Sequence, residues 1–154
     1  MEKHELVYVT FIRTTPEKLW AAITTPEFSR QYWGGNANVS DWKSGSQWQH
    51  VGAGEEHAVY VAGEVVESTP PKRLVLTWAD PDEPEDISRV TFEIEPIDDI
   101  VRLTVVHNDF KPGSTMIGDV SRGWPCVLSS MKSYLETGKG LDVRAALKMT
   151  APCA

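Results

Sequence analysis

Residues Asp119 to Gly138, DVSRGWPCVLSSMKSYLETG, decide the fold. Val120, Trp124, Val127, Leu128, Met131, Tyr134 and Leu135 recur at steps of three and four residues. That spacing makes one continuous apolar face of an α-helix, with Arg122, Lys132, Ser133 and Glu136 largely off it. Gly138 is a natural stop, because glycine takes the left-handed conformation that helix ends often need. About 18 residues at ~1.5 Å each give a rod on the order of 27 Å long, enough to cross the face of a sheet. Pro125 leaves two readings open. Either the regular helix begins near Trp124 with Pro125 in its first turn, or an earlier turn exists and the helix kinks at the proline. The phase of Val120 favours the kink.

The chain before this helix reads as the sheet it would cover. Glu5–Arg13 is rich in β-branched and aromatic residues, a strand apolar on both faces. Thr15-Pro16-Glu17 opens a helix with a cap, a proline suited to the first helical position and an acid at the positive end of the dipole. Thr25-Pro26-Glu27 repeats the signal and predicts a second short helix to about Tyr32. From Asn36 onward the period becomes two. Strands are expected near Ala37–Asp41, Gln47–Val51, His57–Glu67, Arg73–Ala79, Arg89–Glu95 and Val101–Asn108, with a break at Pro70-Pro71 and a turn at Ile97-Asp98-Asp99. In the last two, clean alternation predicts an antiparallel sheet with one wet face, the long helix covering the dry one. Asp142 caps a short helical signal over Val143–Met149, and no internal repeat marks a domain boundary.

Bulk properties exclude several classes. The 154 residues are one domain's worth, and 41% hydrophobic content is ordinary for a soluble protein. No apolar run approaches the ~20 residues that span a bilayer, so no integral membrane association is expected. A formal charge of −7 gives no general electrostatic reason to bind nucleic acid or anionic membrane. Cys126 and Cys153 form no disulfide framework, and the start lacks a signal-peptide core. A cytoplasmic location is therefore expected.

The ordered set Thr15-Pro16-Glu17-Lys18-Leu19-Trp20, Gly63–Glu67, Pro70–Trp78, Val90-Thr91-Phe92, Leu103–His107 and Gly123-Trp124-Pro125 resembles the START and birch-pollen-allergen superfamily (SRPBCC). Within it, the chain resembles the branch of homologues of the activator of heat-shock-protein-90 ATPase, from about Val7 to Gly138. The resemblance implies an α+β helix-grip fold: a curved antiparallel β-sheet wrapped around a long C-terminal helix, with two short helices after the first strand. It places a START-like domain at residues 1–138, with 139–154 a tail of the same domain. It also implies a cavity between sheet and helix that often accepts hydrophobic small molecules. Members include lipid carriers, hormone receptors, aromatase/cyclases and a chaperone cofactor, so the fold alone does not settle function.

Candidate ligand-binding residues are Trp33, Trp48, Trp78, Phe92, His107, Trp124, Leu128 and Met131, large groups near the helix or on expected inner faces. Any one of them could simply fill the core. His107 shares parity with Leu103 and Val105, so it should face the helix, where it could orient a ligand or act as acid or base. The plainer reading is a histidine satisfied by a neighbouring backbone group. No catalytic residue beyond His107 suggests itself: Ser129-Ser130 lacks a nucleophile elbow, and Cys126 reads as a structural thiol. His50 and His57, with Glu55 and Glu56, match no zinc spacing and read as a solvated hairpin. Asp80, Asp82, Glu83, Glu85 and Asp86 read as a solvated loop, since the glycine of a calcium loop is absent. No metal and no cofactor is expected.

Three functions follow in order. The first is a protein that binds a hydrophobic or aromatic small molecule, of the lipid or polyketide class, without covalent chemistry. The second is a cyclase/dehydratase-type enzyme in the same pocket. The third is a chaperone-associated interaction module, ranked last for the negative charge and the lack of an evident exposed apolar stripe. Leu141, Leu147 and Met149 leave the tail two fates, docking on a second copy to make a homodimer or fraying.

Overall fold

The computed structural model describes residues 4–53 and 58–150, with side chains to 147. The expectations for Glu55, Glu56, His57 and the Met149 side chain lie outside that range. In chain order the elements are β1 (Leu6–Ile12), α1 (Pro16–Thr24), α2 (Pro26–Tyr32), β2 (Ala37–Ser40), β3 (Gln47–Val51), β4 (Val59–Thr69), β5 (Arg73–Trp78), β6 (Ser88–Ile97), β7 (Ile100–Asn108), α3 (Met116–Thr137) and α4 (Val143–Thr150). The strands form one seven-stranded antiparallel sheet in the order β1-β7-β6-β5-β4-β3-β2. The chain lays β1 at one edge, crosses through α1 and α2 to the other edge, and returns strand by strand to pair β7 with β1. This is the expected α+β helix-grip fold.

Local chemistry sets the elbow. The Thr15 hydroxyl accepts from the Lys18 N–H at 3.2 Å, Pro16 starts α1, and Thr25 both ends α1 and precedes Pro26 of α2. The Tyr32 hydroxyl then donates to the Ala22 carbonyl at 2.8 Å, locking the two helices together.

Register fixes the inner face. Leu6, Tyr8, Thr10 and Ile12 sit opposite His107, Val105, Leu103 and Val101, which in turn face Val90, Phe92 and Ile94. Residues directly opposite share a face, so Ile12, Val90, Phe92, Ile94, Val101, Leu103 and Val105 form a single core with Leu19, Ile23, Leu74 and Leu76 and with Met131 of α3, and Tyr8 packs against it. Register shifts in β4, near His50/Val51 on one side and Val65/Glu67 on the other, accompany the bend of the sheet. At the bend β4 comes very close to β5: a Cβ on Gly63 would lie 2.0 Å from the Thr77 carbonyl oxygen. The same oxygen accepts the Trp48 indole N–H at 2.8 Å.

Helix α3 starts at Met116, earlier than either sequence reading placed it, with Pro125 in its interior. Pro125 has no N–H, so the Ser121 carbonyl loses its intrahelical partner. The Tyr8 hydroxyl donates to that oxygen across 3.4 Å. Gly138 takes φ +87° and closes the helix as expected.

Two expectations need correction. The solvent-facing side does carry an exposed apolar stripe: Val7, Val9 and Phe11, opposite Val106, Thr104 and Arg102, are about half exposed on edge strand β1. And α4 packs on its own chain. Val143 is buried, the Ser130 hydroxyl accepts the Leu141 N–H at 2.9 Å, and Arg144 donates to the Gly34 carbonyl at 2.8 Å.

Candidate functional site

A cavity of about 300 Å³ opens beside the N-terminal half of α3. Met116, Val120, Gly123, Trp124 and Val127 supply its helical wall at spacings of three and four, one stripe of the helix. Tyr60 and Val61 of β4, Trp78 of β5 and Trp33 at the end of α2 supply the rest. Asp80, Glu83, Asp86, Thr115 and Asp119 complete the lining.

Trp124 is the hub of an aromatic cluster. Its ring centroid lies 5.5 Å from Trp78, 5.9 Å from Trp33, 5.9 Å from Phe92 and 6.1 Å from His107. Trp48 joins through Trp78 at 5.3 Å. These are the tilted and edge-on contacts that aromatic quadrupoles favour. Of the expected ligand-binding residues, Trp33, Trp78 and Trp124 border the cavity. Trp48, Phe92 and His107 lie behind them in the core, Met131 is fully buried further along α3, and Leu128 borders a groove between α3 and β1.

His107 is fully buried, and both ring nitrogens are engaged. The Trp124 indole N–H can only donate, and it reaches Nδ1 at 3.0 Å. Nδ1 is therefore the acceptor and Nε2 carries the proton, 2.7 Å from Ser88 Oγ. The Ser88 hydroxyl in turn has the Trp78 carbonyl at 3.2 Å and Met116 Sδ at 3.0 Å within donating reach. Burial pushes the His107 pKa down to about 3. The imidazole is thus neutral and serves to position Trp124, its partners being side chains rather than backbone.

His50 was expected in a solvated hairpin, but it is buried. Asn38 gives the reason: its amide donates to the Ile23 carbonyl at 3.0 Å, which turns its Oδ1 toward His50 Nδ1 at 2.8 Å. Asn36 lies 3.4 Å from Nε2, and the ring packs 4.6 Å from Trp33. Burial lowers the His50 pKa to about 4. Its parity with Trp48 in β3 was the available sequence signal.

The acidic loop is the second surprise. Three of its carboxylates, with Asp119 of α3, rim the mouth of the cavity. Nothing in the loop composition distinguishes that placement from simple solvation. Among the described residues no group of three or more His, Cys, Asp or Glu is placed to hold a metal ion, and no helix is long and apolar enough to cross a membrane.

A curved antiparallel sheet closed over one long helix, with a helical elbow after its first strand, defines a helix-grip protein. Residues 13–136 match the family of Activator of Hsp90 ATPase homolog 1-like proteins, and the chain belongs to that family. No curated protein matches the chain in sequence. Solved structures share its fold. CalU16 from Micromonospora echinospora superposes with a TM-score of 0.72 at 17% identity, covering 95% of this chain and 83% of that one. The Aha1 dimer from Colwellia psychrerythraea gives 0.73 at 21% identity, covering 89% and 99%. An HSP90 activator from Plasmodium falciparum gives 0.72 at 23% identity, covering 85% and 95%.

Proposed function

We propose that this protein is a cytoplasmic small-molecule binder, holding a hydrophobic or aromatic ligand of the lipid or polyketide class between sheet and α3 without covalent chemistry. The observation that carries the reading is the cavity of about 300 Å³ walled by Trp33, Trp78 and Trp124. That volume is at the lower end of the range for ligand sites, ~300–1,000 Å³, and Trp33, Trp78, Trp124, Val61, Met116, Val120 and Val127 give the cavity an apolar wall beside its polar rim. In this reading residues 1–138 form the binding domain and 139–154 are a tail of the same domain.

Gly123 provides the test. It lines the cavity, and a Cβ built there meets no atom within 4 Å. Gly123→Leu should therefore fill the space without disturbing the wall. A thermal-shift screen against lipid-class amines and alcohols and against small aromatic polyketides should give a saturable shift in the wild type. Gly123→Leu should abolish it. A shift that survives the substitution sinks the proposal.

The cyclase/dehydratase alternative gave the proton-carrier role to His107, which neither borders the cavity nor has a free nitrogen. The interaction-module reading gains support from exposed Val7, Val9 and Phe11. It predicts stimulation of an Hsp90 ATPase that Val9→Lys abolishes and Gly123→Leu leaves intact. The homodimer is a further proposal: Leu141 is 52% exposed, and the Colwellia protein was solved as a dimer. Sedimentation of wild type against Leu141→Glu decides it.

A further inference from the structure

The cavity wall carries four carboxylates, Asp80, Glu83, Asp86 and Asp119, and no Lys, Arg or His. From this asymmetry we infer that the ligand is a cation: a one- or two-ring apolar body bearing a protonated amine, its rings among Trp33, Trp78 and Trp124 and its ammonium at the acidic rim. The inference rests on the cavity being a ligand site and names the ligand's charge and size.

The acids are only partly neutralised by the protein. Asp119 pairs with Arg122 at 2.7 Å, and Asp86 accepts from the Ser114 hydroxyl at 2.8 Å. Asp80 accepts the Asp82 N–H at 2.8 Å. Among the described residues no Lys or Arg pairs with Asp80, Glu83 or Asp86. A carboxylate ligand entering here would meet like charges within a Debye length, about 8 Å at physiological ionic strength. The N-terminus of α3 does not reverse the sign. Its Met116 N–H is already taken by the Ser114 hydroxyl at 3.1 Å, and Asp119 in its first turn opposes the helix dipole.

The aromatic wall favours the same charge. A cation over the face of tryptophan is drawn by the ring quadrupole, more strongly where water is excluded. An inorganic cation is a poor fit, since the acids are not gathered into a metal-binding group among the described residues. Size follows from volume. A cavity of roughly 150 Å³ holds one benzene ring, so about 300 Å³ suits a body of one or two rings.

The test uses three naphthalenes that differ in charge: 2-naphthylmethylamine, 2-naphthylmethanol and 2-naphthoic acid. Each is titrated at neutral pH and low salt, with calorimetry reporting binding to wild type, the Asp80→Asn/Glu83→Gln double variant and Gly123→Leu. The amine should bind wild type at least about tenfold more tightly than the alcohol, a step of ~1.4 kcal/mol, and the acid more weakly than either. In the double variant, which leaves Asp86, Asp119 and the tryptophans in place, the amine's advantage over the alcohol should shrink several-fold, while the alcohol's own binding stays unchanged. Added salt should weaken the amine and not the alcohol. Equal affinities in wild type, or an amine preference undiminished in the double variant, overturn the charge assignment while the cavity stands. Binding that persists in Gly123→Leu, or no binding by any probe, overturns the cavity reading and this inference with it.

Discussion

Acid should destabilise this fold through two buried histidines. His50 and His107 have folded pKa values of about 4 and about 3, both lowered by burial from an ordinary 6.5. In the unfolded chain both regain the ordinary value, so below it the unfolded state binds more protons. Stability therefore rises with pH in this window, and is lost as pH falls from 6.5 toward the folded values. Integrating proton uptake from pH 6.5 to about pH 5 gives a loss on the order of 1–2 kcal/mol per histidine, about 3 kcal/mol for both. Against a typical total of ~5–15 kcal/mol, that is a visible fraction. The assay is urea unfolding by circular dichroism at several pH values. His107→Gln keeps a donor and an acceptor for Ser88 and Trp124, and should remove about half of the pH-dependent loss. His50→Gln should remove the other half. His4 and His57 are common to all three proteins and cancel in the differences. A pH slope identical in wild type and His107→Gln would refute the neutral, fully engaged imidazole on which the reading of Trp124 rests.

Four further outcomes are expected. Gly123→Ala should stabilise the protein by up to about 1 kcal/mol in thermal or urea unfolding, because the added methyl meets open space and alanine is the better helix former. Gly63→Ala should cost more than about 3 kcal/mol or prevent folding, since the new Cβ collides with the Thr77 backbone. Tyr8→Phe should cost about 1 kcal/mol by uncovering the Ser121 carbonyl. In a Pro125→Ala background, where the helix satisfies that oxygen itself, the cost should shrink, and a double-mutant cycle measures the coupling. Gly140→Ala should push α4 off its seat, because a Cβ there lies 2.5 Å from the Gln31 carbonyl oxygen and 2.9 Å from Ser130 Oγ. Limited proteolysis should then cleave the segment after residue 140 much faster than in wild type.

Much of the architecture was legible because short-range chemistry writes it. The Thr-Pro-Glu repeats located α1 and α2, Pro70-Pro71 located the β4–β5 turn, and the alternation in Arg89–Glu95 and Val101–His107 placed the inward faces. The start of α3 was missed because Gly118 and Gly123 dilute the apolar stripe, whereas Met116 needs its neighbours to be read as core. The two faces of β1 look equally apolar in sequence, and only pairing with β7 shows that Val7, Val9 and Phe11 face outward. At the candidate site, the large aromatics were visible, since bulk and parity are local properties. The acid rim was not. Asp80 and Asp119 are 39 positions apart, and only the closing of α3 over β5 brings them to one opening. His50 was hidden for a related reason: its partner Asn38 is oriented by the Ile23 carbonyl in a different element.

The last turns of α3 also bear on how the protein behaves when concentrated. Strand β1 ends the sheet, so its outward-pointing amides and carbonyls could template another strand. Lys132 donates to the Phe11 carbonyl, and Glu136 accepts the Arg13 N–H at 2.9 Å, while the two side chains pair with each other at 2.8 Å. One helical turn thus occupies backbone positions that an incoming chain would use. Beside them stand the exposed Val7, Val9 and Phe11, a sequence well suited to intermolecular pairing. Fraying of the helix end would leave this edge open, and self-association would then begin at the first strand of the protein while its core was still intact.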